Sequence, residues 1–257
     1  MPGIHPTAVV SEGAELGAGV EVGPYCVIGP HVKIGADTRL LSHVVIDGWT
    51  TIGAGCTVHP FARLGGPTQD LKYKGGAPRV EIGDRNTLRE YVTVNAATGD
   101  GDVTRIGSDC HIMAYAHIAH DCVVGDGVVL ANCATLAGHV TVEDLAGIGG
   151  LVGIHQFVRI GKLAYIGGCA KVTQDVPPFM IADGNPLAIH GLNTVGLKRK
   201  GVSEEAQKQL KQAFRILYRQ DLPTAKALEK IEKEIGQVPE VQHLATFVKI
   251  SSRGITR

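Results

Sequence analysis

Aliphatic residues recur every six positions along the first two thirds of the chain. Counting in steps of six from residue 4 to residue 172 gives 29 positions, and isoleucine, leucine or valine occupies 26 of them. The exceptions, Asp70, Gly76 and Asp100, fall in two polar segments, residues 65–79 with the first loop and residues 95–105 with the second loop. After each segment the phase resumes unchanged. The pattern predicts a regular repeat from which two loops project.

Each six-residue unit has two apolar positions, which we expect to point inward. One is the aliphatic residue, and the other lies four positions later and is usually small or β-branched, as at Val20, Cys26 and Val32. The residue after the aliphatic one is often glycine, which favours a corner with unusual backbone angles. The period of six fits short strands joined by tight corners, with three units closing a triangular coil of 18 residues.

The repeat therefore predicts a mainly β protein, a parallel β-helix in which residues 18 apart stack at about 4.8 Å. Three prolines follow the last repeat and predict the end of strand pairing, namely Pro177, Pro178 and Pro186. Helical periodicity then appears in three stretches: Leu210–Tyr218 behind Ser203 as N-cap, Thr224–Ile235 ended by Gly236, and Val241–Val248. We predict a β-helix domain over residues 1–186 and a C-terminal helical domain over residues 187–257, covering the open end of the coil.

Composition excludes several classes of function. The 25 basic and 25 acidic residues cancel, so the chain has no bulk charge for nucleic acid or an anionic membrane. The sequence has no apolar stretch as long as about 18 residues and no signal sequence. We therefore expect a cytoplasmic protein without an integral membrane segment. The six cysteines show no CxxC spacing and are expected to be unpaired packing residues: Cys26, Cys56, Cys110, Cys122, Cys133 and Cys169.

The densest group of candidate catalytic residues is AHIAHDC at 116–122. The 18-residue step places Asp121 beside His139 and His120 beside Gly138. A second step, from Gly138, places Gln156 on the next coil of the same column. An imidazole base, a glycine N–H and an amide would then line one edge of the coil, with His120 suited to proton transfer near neutral pH.

Other readings of these residues stay open from spacing alone. The histidines could be polar groups on the outer surface of a solenoid, or His117 and His120 could contribute to a metal site. The basic run Lys198–Lys200 could be solvated surface or could receive the phosphate of a nucleotide or an acidic carrier. The first loop could carry binding groups or be a simple insertion.

Several motifs, taken in order, resemble one known family. They are QDLKY at 69–73, RVEIGDRN at 79–86, AHIAHDC at 116–122, LAGHV at 136–140, IHQF at 154–157, GLKRKG at 196–201 and the tail SSRGITR. The set is similar to the UDP-N-acetylglucosamine acyltransferases that begin lipid A synthesis. The resemblance implies a homotrimer of left-handed β-helices, with active sites in clefts between neighbouring subunits.

The same resemblance implies the reaction and its residues. A 3-hydroxyacyl chain would pass from acyl carrier protein to the glucosamine 3-hydroxyl of UDP-N-acetylglucosamine, with no metal or bound cofactor. His120 resembles the general base, Asp121 its orienting carboxylate and Gly138 the donor to the oxyanion. The positions that look like substrate contacts are Gln69, Asp70, Lys72, His117, His139, His155, Gln156, Gly168, Asn193, Arg199 and Lys200. Among these, Asn193 and Arg199 resemble nucleotide contacts, Arg199 and Lys200 could meet the carrier, and Gly168 would admit a longer acyl chain.

Two departures from the family concern the acceptor. Asn95-Ala96-Ala97-Thr98 stands where the family often has His-Arg-Gly-Thr, and Val195 replaces an acidic residue. The acceptor could therefore carry a 3-hydroxyl or a 3-amino group. Remaining alternatives are an acetyl-CoA-dependent acetyltransferase, a metal-dependent hydratase and a non-catalytic binding solenoid. The related N-acyltransferase carries an N-terminal uridine-binding domain, whereas here the repeat begins at Ile4.

Overall fold

The computed structural model describes residues 3–235 and 238–257, so Gly236, the predicted end of the second C-terminal helix, lies outside it. Within these residues there are 28 strands and four helices. The strands are β1 Gly3–Ile4, β2 Val9–Val10, β3 Glu15–Leu16, β4 Glu21–Val22, β5 Val27–Ile28, β6 Lys33–Ile34, β7 Arg39–Leu40, β8 Val45–Ile46, β9 Trp49–Ile52, β10 Thr57–Val58, β11 Arg63–Gly66, β12 Arg79–Ile82, β13 Thr87–Leu88, β14 Thr93–Asn95, β15 Val103–Ile106, β16 His111–Ile112, β17 His117–Ile118, β18 Val123–Val124, β19 Val129–Leu130, β20 Thr135–Leu136, β21 Thr141–Val142, β22 Gly147–Ile148, β23 Gly153–Ile154, β24 Arg159–Ile160, β25 Tyr165–Ile166, β26 Lys171–Val172, β27 Met180–Asp183 and β28 Ala188–Leu192. The helices are α1 Thr194–Arg199, α2 Glu204–Arg219, α3 Thr224–Glu234 and α4 Pro239–Lys249.

The described strands form three sheets that are the faces of a triangular coil. Face A contains every third strand from β1 to β25 and continues into β27 and β28; face B runs from β2 to β26, and face C from β3 to β24. Neighbours within each face pair in parallel, apart from the antiparallel pair β27 and β28. The architecture is a left-handed parallel β-helix with C-terminal helices. The repeat predicts the parallel β-helix, and the family resemblance implies its left hand.

The register between coils shows why the six-residue phase survives both loops. In a regular coil the paired residues are 18 apart, as for Gly3 and Glu21. Across the first loop Thr57 pairs with Thr87, and across the second Thr93 pairs with His117. These separations of 30 and 24 residues exceed 18 by multiples of six. Because the extra residues project as loops, pairing resumes on the same face beyond each insertion.

The two apolar positions of each unit fill the interior, as predicted. From the second coil onward these side chains are almost fully buried, for example Val20, Val22 and Ile28 at 0–1 % exposure. Ile4 remains 45 % exposed because it lies at the open end of the coil. A fully buried side chain of this size stabilises the fold by about 1.5–3 kcal/mol, so the stacked interior is the main source of stability.

The glycines after the aliphatic residues have a different role from the one predicted. They have ordinary backbone angles, with Gly65 an exception at φ 77°, and most of them are needed because successive coils approach closely at the corners. A Cβ at Gly35 would lie 2.5 Å from the carbonyl carbon of Gly53, closer than real Cβ contacts. The absent side chain thus permits the coil spacing.

At most corners a left-handed backbone angle falls two residues further along and is adopted by a residue with a side chain. Tyr25 has φ 59°, and Asp121 and His139 have φ 60°. Such a conformation costs roughly 1–2 kcal/mol per residue, so packing between coils must compensate. At the corner between faces A and B these residues form the aromatic column, whose neighbouring rings lie 4.7–5.0 Å apart and which comprises Tyr25, His43, Phe61, Tyr91 and Tyr115.

The cysteines are unpaired, and four of the six are buried as predicted: Cys26, Cys56, Cys110 and Cys122. Burial raises the pKa of the Cys122 thiol to about 12 and that of Cys110 to about 11, which keeps both protonated. Cys169 is exposed, so its prediction as a packing residue was wrong. It occupies a left-handed corner position, with φ 61°, from which the side chain points outward.

The prolines do not end strand pairing. After Pro177 and Pro178 the strand β27 adds to face A, and β28 then turns back beside it. The predicted helices are present: the Ser203 side chain caps α2 by accepting the N–H of Ala206, and α3 and α4 follow. The six-residue α1 was not predicted. The division at residue 186 stays a prediction.

The C-terminal segment is bonded to the last coils. Glu143 accepts a 2.7 Å hydrogen bond from His243 of α4, and the Arg159 guanidinium lies 4.2 Å from the ring centre of Phe247. The buried Asp175 accepts from the Ser251 hydroxyl and pairs with the final residues. Among the described helices, none is both long and apolar enough to cross a bilayer.

Gly35→Ala should destabilise the coil by about 2 kcal/mol, because the new methyl group has no room against the next coil. Gly191→Ala is the matched control, since a Cβ there meets nothing within 4 Å and φ is ordinary. Denaturant unfolding of both variants checks this, and equal stabilities would contradict the close-approach explanation.

Candidate active site

The predicted catalytic residues meet at the corner between faces B and C, just after β17. The predicted stacking of Asp121 with His139 is confirmed, since His139 Nε2 lies 3.7 Å from Asp121 Oδ2. The His139 ring also stacks on Phe157 of the next coil, with ring centres 4.5 Å apart. Three successive coils therefore contribute to one edge, as the 18-residue step requires.

His120 lies directly over Gly138 of the following coil. A Cβ at Gly138 would lie 2.5 Å from His120 Nε2 and even closer to Cε1, so no side chain fits there. The glycine is thus required by the position of the imidazole. This close approach confirms the predicted proximity of His120 and Gly138.

The imidazole of His120 is oriented by its neighbour in sequence. Its Nδ1 lies 2.8 Å from Asp121 Oδ2, and the two side chains are only 14 % and 12 % exposed. A carboxylate at this distance stabilises the tautomer whose proton is on Nδ1. The lone pair of Nε2 is then directed away from Asp121 and is available to accept a proton.

Asp121 is held by Thr98 of the second loop and by Thr104 of β15. Its Oδ1 accepts the backbone N–H of Thr98 at 3.3 Å, and its own N–H donates to the hydroxyl of Thr104 at 2.8 Å. Thr104 is fully buried at an inward position of the repeat. Both ends of Asp121 are therefore restrained, which keeps the carboxylate against His120.

The backbone N–H of Gly138 is the candidate oxyanion donor. At the same repeat position between faces C and A, the N–H groups of Ala54 and Ser108 each donate to an aspartate of the next coil. In the described part of the chain, Gly138 N–H has no such hydrogen bond. This N–H is therefore available for an acceptor from outside the chain.

His117 and His155 flank this centre. His117 Nδ1 lies 2.7 Å from the hydroxyl of Thr93, and burial, together with the charge of His120, lowers the pKa of His117. His155 Nδ1 lies 3.0 Å from the backbone oxygen of Gln156 and 3.2 Å from Arg253 Nη2 of the C-terminal tail. The predicted positions at 117, 155 and 156 thus lie along the same corner.

The first loop carries its predicted contacts at the surface. Gln69 and Lys72 are exposed, and Asp70 is half-buried, its Oδ1 accepting the backbone N–H of Lys72 at 2.9 Å. Within the described chain, no hydrogen bond or ion pair joins these side chains to His120. Their role as substrate contacts stays a prediction.

A second group of predicted residues lies on face A, away from His120. Asn193 caps α1 by accepting the N–H of Gly196 at 2.9 Å, and its amide donates to Leu163 at 2.9 Å. Asn193, Arg199 and Lys200 line a cleft of about 620 Å³ whose apolar wall includes Met113, Tyr165 and Ile181. Gly168 lies at the corner between faces A and B, near Gly150. The candidate residues thus form two groups, one on each side of face B.

Three side chains of the first group could also hold a cation. One ligand atom each from His120, Asp121 and His139 lies within 4.8 Å of the others, and this is the one such group found in the described residues. Two imidazoles and a carboxylate suit a divalent metal. His117, which sequence spacing paired with His120, contacts Thr93 instead.

Sequence reasoning missed the residues that support Asp121. Thr104 had one usable signal, because it is a hydroxyl residue at an inward position that is otherwise small or aliphatic. Thr38 and Thr50 share this position and are also buried and hydrogen-bonded. Thr98 and Arg253 carry no such signal, because loop and tail geometry alone bring them to the site.

Two family models match the chain. The second domain of UDP-N-acetylglucosamine O-acyltransferase matches residues 175–256, and the bacterial transferase hexapeptide model matches residues 31–66 and 104–138. Together they match two stretches of the coil and the C-terminal segment.

Relatives of known function extend over the whole chain. The acyl-[acyl-carrier-protein]–UDP-N-acetylglucosamine O-acyltransferase of Thermodesulfovibrio yellowstonii is 54 % identical, covering 99 % of each chain. The protein of the same name from Synechocystis is 51 % identical over 98 % of this chain and 91 % of its own. The solved UDP-N-acetylglucosamine acyltransferase of Bacteroides fragilis superposes with a TM-score of 0.97 at 37 % identity, covering 99 % of this chain and 100 % of its own. The corresponding structure from Acinetobacter baumannii gives 0.96 at 42 % identity, covering 99 % of each.

The lowered pKa of His117 predicts a pH dependence of stability. Because the unfolded state takes up a proton near the ordinary pKa of 6.5 while folded His117 resists it, stability is full above that pH and falls as the pH drops below it. His117→Gln should remove this part of the slope. Unfolding free energies of both proteins from pH 8 to pH 5 measure it, and an NMR titration of His117 at or above 6.5 would contradict it.

Proposed function

The chain belongs to the family of acyl-[acyl-carrier-protein]–UDP-N-acetylglucosamine O-acyltransferases, and we propose how its residues carry out that reaction, the first step of lipid A biosynthesis. The acyl group is a 3-hydroxyacyl chain, and the acceptor is the glucosamine 3-position of UDP-N-acetylglucosamine. The observation that carries the mechanism is the arrangement of His120 between Asp121 and Gly138.

The transfer proceeds directly between the two substrates. Nε2 of His120 removes the proton of the 3-hydroxyl as the sugar oxygen attacks the thioester carbonyl carbon. The negative charge that develops on the carbonyl oxygen is stabilised by Gly138 N–H, while Asp121 stabilises the imidazolium. Collapse of the tetrahedral intermediate breaks the carbon–sulfur bond, and the departing thiolate takes the proton from His120. No covalent enzyme intermediate is required.

The substrates contact both groups of candidate residues. The first loop with Asp70 and Lys72, and His139 with Gln156, lie on the acceptor side of this scheme. The cleft on face A supplies an apolar wall for an acyl chain, and Gly168 leaves space for a longer one. Arg199 and Lys200 are exposed at the rim of that cleft and offer positive charge to the nucleotide phosphates or to the acidic carrier.

A homotrimer would join the two groups into complete sites. The outer residues of face B are uncharged near the start of the coil, at Val9, Val27 and Val45, and the aromatic column is exposed along its edge. These apolar surfaces favour self-association. If face B lies toward a threefold axis, the His120 corner of one subunit meets the face A cleft of the next, as a head-to-tail ring requires.

Purified protein given UDP-N-acetylglucosamine and 3-hydroxyacyl carrier protein should form the acylated sugar nucleotide. His120→Ala should lower kcat about a thousandfold, because the general base is lost, while the melting temperature stays close to that of the parent. His5→Ala, at the far end of the coil, is the control. A near-normal kcat in His120→Ala would overturn the assignment.

The same assay separates the alternatives. Mass spectrometry of product from mixed acyl lengths, acetyl-CoA and both 3-hydroxyl and 3-amino acceptors identifies the preferred pair. Metal analysis of the pure protein tests whether the group of His120, Asp121 and His139 holds a cation.

The shared site predicts complementation between inactive subunits. When His120→Ala and Arg199→Glu chains are co-expressed with different tags, mixed trimers should contain some sites with both groups intact. These trimers should recover about a third of parental activity if subunits mix at random and the ring contacts are head-to-tail. No recovery in trimers carrying both tags would contradict a site formed between subunits.

A further inference from the structure

The two loops are joined by a pair of hydroxyl groups. Thr68 Oγ1 in the first loop lies 3.1 Å from Thr98 Oγ1 in the second, and a further bond runs from Ala77 N–H to Asp100 at 2.7 Å. Thr68 Oγ1 also accepts the backbone N–H of Asp70 at 3.1 Å. The first loop is thereby attached to the second close to its predicted substrate contacts.

Thr98 connects this pair to the catalytic carboxylate. Its hydroxyl faces Thr68, whereas its backbone N–H donates to Asp121 Oδ1 at 3.3 Å. The other carboxylate oxygen of Asp121 orients His120. One residue therefore lies between the exposed first loop and the group that sets the position of the base.

We propose that Thr98 is a positioning residue, which transmits the placement of the first loop to Asp121 and so to His120. The inference rests on the proposed function, because it assigns the loop a part in the same reaction. Substrate held by the first loop fixes Thr68, the hydroxyl pair fixes Thr98, and the N–H of Thr98 fixes the carboxylate.

The surroundings of Thr98 make the hydroxyl pair the main side-chain restraint. The two preceding residues are Ala96 and Ala97, whose methyl groups are buried and form no hydrogen bonds. Asp121 itself adopts a left-handed backbone conformation, with φ 60°, that a residue with a side chain keeps only when its partners hold it. Loss of the pair should therefore affect the orientation of Asp121 before it affects the fold.

Thr98→Val removes the hydroxyl but keeps the shape and the backbone N–H. We expect kcat to fall about two- to twelvefold, which is the range for losing one hydrogen bond that acts on the transition state. The KM for the sugar nucleotide should change less than about twofold and the melting temperature should stay constant. Thr98→Ser, which restores the hydroxyl, should recover most of kcat.

A double-mutant cycle tests the coupling itself. Thr68→Val should lower kcat at least as much as Thr98→Val, because it also removes the acceptor of the Asp70 N–H. The double variant should be no slower than Thr68→Val alone, because both changes break the same contact between the two hydroxyls. Thr51→Val is the matched control, since this threonine is exposed on face C and takes no part in the hydroxyl pair.

The outcomes separate this inference from the proposed function. If the parent protein forms no acyl product, the proposed function fails. If the parent is active but the Thr98→Val variant keeps its kcat, or if the two valine substitutions are additive, the positioning role is overturned while the reaction stands. A fall in melting temperature that accounts for the lost activity, without rescue by Thr98→Ser, would also overturn it.

Discussion

The hydrogen bonds between successive coils are the interaction on which the rest of the structure depends. The first N–H of most corners donates to a carbonyl one coil away, for example Gly35 to Ile52 at 2.7 Å, and this close ladder leaves no room for side chains at several corners. The same spacing brings the imidazole of His120 onto Gly138. Architecture and candidate active site are thus two results of one coil-to-coil distance.

Much of the fold was predictable because the length of the repeat determines which residues pair between successive coils. The period gave the three faces, and the 18-residue step correctly placed His139 beside Asp121. The reason for the corner glycines was predicted wrongly, since a left-handed backbone angle and a close steric approach both favour glycine at the same position in a sequence. Only coordinates show that the left-handed angles fall on residues such as Tyr25.

What lies outside the repeat was harder to predict. The hairpin of β27 and β28 follows prolines that normally end pairing, and Thr98 reaches Asp121 through a loop whose path no periodicity describes. The arrangement of Arg253 beside His155 depends on the chain returning from the helices to the last coil. Such contacts join segments that are far apart in the sequence, so they leave no local sequence pattern.

The insertions have a consequence for how this protein can diverge. Both are extruded as loops, so beyond each of them the chain resumes pairing on the face that it left. Residues added within the coil itself would instead carry every following residue around the triangle, and only a whole turn of 18 residues would bring His120 back to its corner. Length variation among descendants of such a chain should therefore fall in the extruded loops or occur in steps of 18 residues.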